Sequence, residues 1–175
     1  EKKLFVCDYA EMDALRQWFP EERVACAPIV LLFVDEHDQM MPLAIQLFQT
    51  PSETNPIFTP NADQTSKGAW LCAKLHVQVA DLFLHEVASH LFNTHLLAEG
   101  FYLAMMRNLH KRHPISELLR EHFWGTMAVD FDGRGILVAE GAIMPRLLCA
   151  GSGGTTGLLA TRMAAANAET LFDFP

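Results

Sequence analysis

Apolar positions come in short blocks over the first fifty residues and then run almost unbroken from residue 70 onward. Leu4 to Val6 makes a short strand candidate. From Asp8 to Trp18 the apolar residues fall at helical spacing, and the pattern stops before Pro20. Pro28 to Val34 (PIVLLFV) is rich in β-branched and aromatic residues and predicts a buried strand. The polar DEHDQ at 35–39 then turns the chain. Pro42 to Gln49 returns as a second strand, so 28–49 predicts a hairpin. Residues 50–67 hold Pro51, Pro56 and Pro60 among Ser, Thr and Asn, which predicts a loop.

From Trp70 to about Arg107 there is no proline, and Gly100 is the sole glycine. The spacing predicts one long helix or two nearly continuous ones. At 1.5 Å per residue it runs to about 57 Å, against a radius of gyration of roughly 16 Å for a compact chain of this length. The stretch is apolar on most sides, as in VADLFL and LLAEGFYLAMM, and such a helix is normally wrapped by other elements. Both features predict a helix set inside a larger body, and poor solubility for the chain alone through exposed apolar patches. His113-Pro114 breaks the helix, and Ser116 is expected to cap a short one reaching about His122. Residues 123–148 read as mixed, with a turn at Asp132-Gly133. Gly151 to Gly157 (GSGGTTG) reads as a flexible loop without the Lys-Ser or Lys-Thr pair of a phosphate cradle. A last helix is expected from Leu158 to Leu171. No internal repeat is visible.

Composition sharpens this. The 175 residues suit one domain, half of them are apolar, and only 19% are charged, below the usual quarter. The net charge is −8 and no basic stripe occurs, which argues against nucleic acid. Cys7, Cys26, Cys72 and Cys149 form no C-x-x-C pair and read as reduced structural thiols of a cytoplasmic protein. The longest apolar run, Val24 to Val34, contains Pro28 and is too short to span a bilayer. The start without Met, inside an apolar pattern, is read as a cut edge.

Histidines gather between 76 and 122, and the sharpest run is HEVASHLFNTH, with His85, His90 and His95 five residues apart. A zinc-protease helix needs H-E-x-x-H, with the second histidine four residues on. Here that position is Ser89, so the reading fails. Five residues of regular α-helix turn about 500°, leaving successive rings roughly 140° apart. A π-type turn brings i and i+5 toward one side, and such turns concentrate at functional sites. The spacing therefore predicts a π-type turn within 85–100. Any single buried histidine is more often a hydrogen-bonded core residue, but three repeats at this interval point to a metal. Imidazole suits iron, zinc, copper and nickel alike, and two histidines complete no common site.

The run resembles the lipoxygenase signature: a histidine followed by Glu or Gln, histidines at steps of five, then small apolar residues and a Glu. Here it reads His85, Glu86, His90, His95 and Leu96-Leu97-Ala98-Glu99. PLAIQL at 42–47, NPIFTP at 55–60 and WLCAK at 70–74 are similar to the family's lead into this helix, and LFVCDY at 4–9 resembles a strand near the start of the family's main segment. His113-Pro114-Ile115 with His122 resembles a second family signature, with departures at Arg112, Glu117 and Glu121 that bear on local packing. Gly133 before Arg134 sits where the family carries Ala or Gly.

The resemblance implies a mainly α fold: part of the lipoxygenase helical catalytic domain, with a long central iron-binding helix and a small β-hairpin near the N-terminus. It implies that residues 1–175 are a partial catalytic domain, truncated at both ends, without the N-terminal β-sandwich or the downstream histidine, Asn or His ligand, and C-terminal Ile carboxylate. His90 and His95 are then ligands of non-haem iron, with His85 and Glu86 supporting them. Gly133 and Leu137 control stereochemistry and the substrate channel, Gly133 being associated with R hydroperoxides, and Ile143 also matches a channel position. A plain turn at Gly133 and ordinary core roles for the apolar pair are the bland alternatives. The implied reaction removes hydrogen from the bis-allylic carbon of a polyunsaturated fatty acid. O2 then adds to the pentadienyl radical on the opposite face, giving a hydroperoxide. This chain alone is expected to be inactive. The expected location is cytoplasmic, with peripheral membrane association. A non-catalytic lipid- or partner-binding remnant is the alternative, and an unrelated all-helical metal-binding or structural protein is a third reading.

Overall fold

A computed structural model describes residues 3–60 and 64–167 of the chain. They fall into two compact units, one of Glu1–Phe83 with Leu148–Ala150, the other of Leu84–Leu147 with Gly151–Pro175.

The first unit is built on an antiparallel sheet in the order β1-β2-β3-β4. Its strands are β1 (Leu4–Asp8), β2 (Ile29–Val34), β3 (Met40–Gln46) and the two-residue β4 (Ile57–Phe58). The expected hairpin is β2 with β3. Its turn is held by Asp35, whose Oδ1 accepts from the N–H groups of His37 and Gln39, an Asx arrangement that the DEHDQ run supplies. Opposite Leu32 on β3 stands Pro42, which has no N–H to donate. The register shifts between Leu31 and Leu32, as expected where a ladder donor is missing. Helix α1 (Ala10–Ala14) and a short 3-10 turn (Arg16–Trp18) replace the single helix expected over Asp8–Trp18. The supposed loop at 50–67 contains β4 and the first turn of α2 (Gln64–Leu84).

The core of this unit is Val30, Ile45 and Ala73, with Trp70, Val77, Leu32 and Phe58 packed around them. Trp70, Ala73 and Val77 recur at helical spacing and lay one face of α2 on the sheet. Leu71, Leu75, Val79 and Leu82 recur on the other side and remain exposed. The helix is thus apolar on both sides while this unit covers one of them.

In the second unit a π-helical segment runs from His85 to Leu96, followed by α3 (Leu97–Asn108). The expected π-type turn is present and longer than a single turn. Helix α4 (Pro114–Arg120) follows the His-Pro break. Its cap is His113, whose Nδ1 accepts from Ile115 N–H, and not Ser116, which is buried inside the helix. Pro114 at the first helical position suits its fixed φ and missing donor. Helix α5 (Thr126–Gly133) leads into a second π segment, Arg134–Val138, then α6 (Ile143–Leu147) and α7 (Gly151–Ala165).

Two further sequence expectations fail here. Gly133 is helical, with φ −59°, and forms no turn, because α5 continues into the π segment. The GSGGTTG stretch is the first half of α7, not a loop. Its glycines weaken helix propensity, but Gly154, Thr155 and Leu158 are buried and α7 packs on α6 and the first π segment. Tertiary burial outweighs propensity. Helix α7 ends at Ala165, and Leu171 lies outside the described residues.

Among the described residues no helix is long and apolar enough to cross a membrane. The four cysteines are free thiols.

Candidate metal centre

The π-helical segment decides where the histidines point. An i→i+5 backbone bond, seen where Leu97 N–H donates to the Phe92 carbonyl, widens the helix by one residue per turn relative to the α form. The five-residue interval then amounts to about one turn, and the three rings line up. His90 and His95 have ring centres 5.0 Å apart with planes at 69°. His85 stacks on His90 at 6.2 Å and 22°.

Carboxylates hold the rings at Nδ1. Glu86 reaches two of them, with Oε2 3.2 Å from His90 Nδ1 and Oε1 3.4 Å from His85 Nδ1. His95 Nδ1 is 2.9 Å from Oδ1 of Asp130, on α5. The Asp130 side chain is 2% exposed, and its Oδ2 is buried with no hydrogen-bond partner. When Nδ1 carries the proton donated to a carboxylate, the lone pair lies on Nε2, the usual arrangement of metal-binding histidine.

His90, His95 and Asp130 open onto a cavity of about 250 Å³. Gly133, Leu137, Leu91, Val138 and Met144 contribute to its mostly apolar wall. Gly133 and Leu137, singled out in the sequence, thus share a cavity with both candidate ligands. His85 and Ile143 are not among its lining residues, and Ile143 is 46% exposed. A Cβ added at Gly133 meets only Leu137 Cδ1, at 3.9 Å, which is ordinary contact. Beside the cavity, Arg134 forms an ion pair with Glu99 of α3. This hydrogen bond to Glu99 raises the Arg134 pKa further.

The arrangement fits a metal held by two imidazoles. Two Nε2 atoms bound at about 2.1 Å on adjacent positions of one ion bring ring centres to roughly 4.6–5.3 Å, and the observed 5.0 Å lies in that interval. The orphaned Asp130 Oδ2 adds negative charge at the cavity beside one ring, which favours a cation there. Among the described residues no three His, Cys, Asp or Glu side chains are arranged to hold a metal.

Asp130 escaped the sequence reading. The available signal was a lone carboxylate inside the apolar run MAVDF, since a buried carboxylate needs a partner. Nothing in the spacing says that the partner is His95, 35 residues away.

The lipoxygenase family model matches residues 1–156. An allene oxide synthase-lipoxygenase protein of Plexaura homomalla is 37% identical over 146 residues, covering 83% of this chain and 14% of that protein. The 12R-type arachidonate 12-lipoxygenase of Rattus norvegicus is 37% identical over 150 residues, covering 85% of this chain and 21% of that enzyme. The structure of a calcium-dependent 11R-lipoxygenase superposes with TM-score 0.84 at 30% identity, over 96% of this chain and 25% of that one. A coral 8R-lipoxygenase structure gives 0.81 at 32% identity, over 90% and 23%. The chain therefore spans a quarter or less of these relatives while matching them along most of its own length, and it belongs to the lipoxygenase family.

Proposed function

We propose that this chain supplies two imidazole ligands, His90 and His95, to the non-haem iron of a fatty-acid dioxygenase, and that the remaining ligands come from beyond the described residues. The observation that carries the reading is the pair itself: two rings 5.0 Å apart, each with Nδ1 on a carboxylate, at one apolar cavity. The exposed apolar side of α2 (Leu71, Leu75, Leu82) and the chain's small share of its relatives' length favour a part that works inside a larger body. Alone it is expected to be inactive.

When bound, iron would supply the one-electron acceptor for hydrogen removal from the bis-allylic carbon of a polyunsaturated fatty acid; O2 would add to the pentadienyl radical, and return of that electron with a proton would give the hydroperoxide. The chain's own residues prepare this. Glu86 keeps the Nδ1 proton of His90 and orients its ring, and His85 stacks behind without entering the cavity. Leu91, Leu137, Val138 and Met144 line a dry space suited to an acyl chain. Gly133 leaves that space one methyl wider next to Leu137. The 12R-type, 11R and 8R names of the relatives above favour the R assignment for a glycine here.

The test is chiral product analysis after arachidonate or linoleate is given to the protein expressed with all the sequence that flanks this chain in its gene. A conjugated-diene hydroperoxide that persists in His85→Ala and disappears in His90→Ala and His95→Ala is the expected result. Absence of any oxygenated product from iron-replete protein overturns the proposal. Gly133→Ala is expected to lower the R fraction, and unchanged chirality removes the stereochemical assignment.

A further inference from the structure

Asp130 stands out from every other carboxylate near the cavity. Glu86 is about a third exposed and divides its two oxygens between two rings. Asp130 is almost wholly buried, gives one oxygen to His95 alone at 2.9 Å, and has nothing on the other. A buried carboxylate with an unpartnered oxygen is unfavourable unless positive charge lies close by. Arg134 ties itself to Glu99, and Lys or Arg make no direct hydrogen bond to Oδ2. Arg134 feels the Asp130 charge as well, but the hydrogen bond of Asp130 goes to His95, so the His95 ring is the group it can orient.

We propose that Asp130 is a positioning residue for the metal: its carboxylate fixes the Nδ1–H tautomer of His95, aims Nε2 into the cavity, and strengthens Nε2 as a donor. The proposal rests on the reading of His95 as a ligand. Hydrogen bonding at one imidazole nitrogen sets which nitrogen is free and raises its basicity, and loss of such a partner typically lowers metal affinity about 10–100-fold. Placement on a rigid helix suits the role, because α5 holds the carboxylate independently of the π segment that carries the ring.

The experiment uses the protein expressed with all the sequence that flanks this chain in its gene, labelled with 15N at histidine, in wild-type, Asp130→Asn, Asp130→Leu and His95→Ala forms, each checked for native circular dichroism. Tautomers are read by long-range 15N–1H correlation without metal. Cobalt(II) affinity is read from the shifted His90 and His95 signals. In the wild type His95 should carry its proton on Nδ1. Asp130→Leu should lose that preference and bind cobalt about 10–100-fold more weakly. Asp130→Asn keeps the shape and an acceptor oxygen but not the charge. It should keep the tautomer and bind with an intermediate loss, which preserves the test if the leucine variant does not fold. Wild-type tautomer preference in Asp130→Leu, or wild-type affinity in Asp130→Asn, overturns the positioning role while His95→Ala still weakens binding. Undiminished affinity in His95→Ala sinks the ligand reading, and the positioning role falls with it.

Discussion

Glu99 and Arg134, 35 residues apart in sequence, form an ion pair that ties α3 to the start of the second π segment. Glu99 closes the histidine signature, and Arg134 follows the glycine of the cavity wall, so two sequence landmarks meet through their charges. Glu99 is 13% exposed and Arg134 54%, which places the pair between surface and core. Arg134→Gln, which strands a mostly buried carboxylate, should destabilise the fold by about 1–2 kcal/mol. The double variant with Glu99→Gln should recover part of that loss. Urea melts of the four forms give the coupling, and simple additivity rules out a direct interaction.

Gly133→Ala should stabilise. The residue is helical, and the new methyl meets only Leu137 Cδ1 at 3.9 Å. Replacing a helical glycine with alanine is worth about 0.5–1 kcal/mol through the unfolded chain, or roughly 1–4 °C in Tm for a chain of this size. A lower melting temperature means that the methyl does not fit the wall.

Asn55 should be among the most sensitive polar positions of the first unit. It is 6% exposed. Its Oδ1 accepts from Phe48 N–H, and its Nδ2 donates to the carbonyls of Phe48 and Thr50. Asn55→Ala removes the bonds to Phe48 N–H and the Thr50 carbonyl, while the Phe48 carbonyl keeps Gln46 Nε2, and should cost about 1–3 kcal/mol, read by chemical denaturation. A loss under half a kilocalorie, on the order of a surface substitution, contradicts the bonding pattern.

Tyr9 gives the first unit an alkaline limit. Burial, and then the hydrogen bond from its hydroxyl to Asp81 Oδ1 at 2.9 Å, push the phenol above its ordinary range. The folded chain keeps a proton that the unfolded chain releases at about pH 10. This contribution is complete below that pH and is lost as pH rises toward the folded value. Stability should therefore fall above about pH 10, with a shallower slope in Tyr9→Phe. Denaturant midpoints between neutral and alkaline pH check this, and identical slopes in the two forms count against it.

The sequence made some of this legible because the relevant signals are local. Polar DEHDQ between two apolar runs defines the β2–β3 hairpin, and histidines at steps of five are incompatible with one face of an α-helix, so the π turn follows from arithmetic. Other features depend on distant partners. GSGGTTG is helical because Thr155 and Leu158 are buried, and no local rule anticipates that. Gly133 continues a helix because a second π segment follows it. Asp130 acquires its meaning from His95 on another element. Its position alone marked it only as a carboxylate in an apolar run.

The π-helical segment also sets how this stretch of chain tolerates change in length. Deleting one residue between His85 and His90, or between His90 and His95, leaves a four-residue interval that an ordinary α-helix accommodates with better hydrogen bonding. The local backbone gains from that repair, and the two rings stay on one face, about 40° apart, as in H-E-x-x-H. One-residue insertions, which leave a six-residue interval and turn the rings about 120° apart, should thus disarm the site without unfolding the helix, whereas one-residue deletions keep the rings on one side.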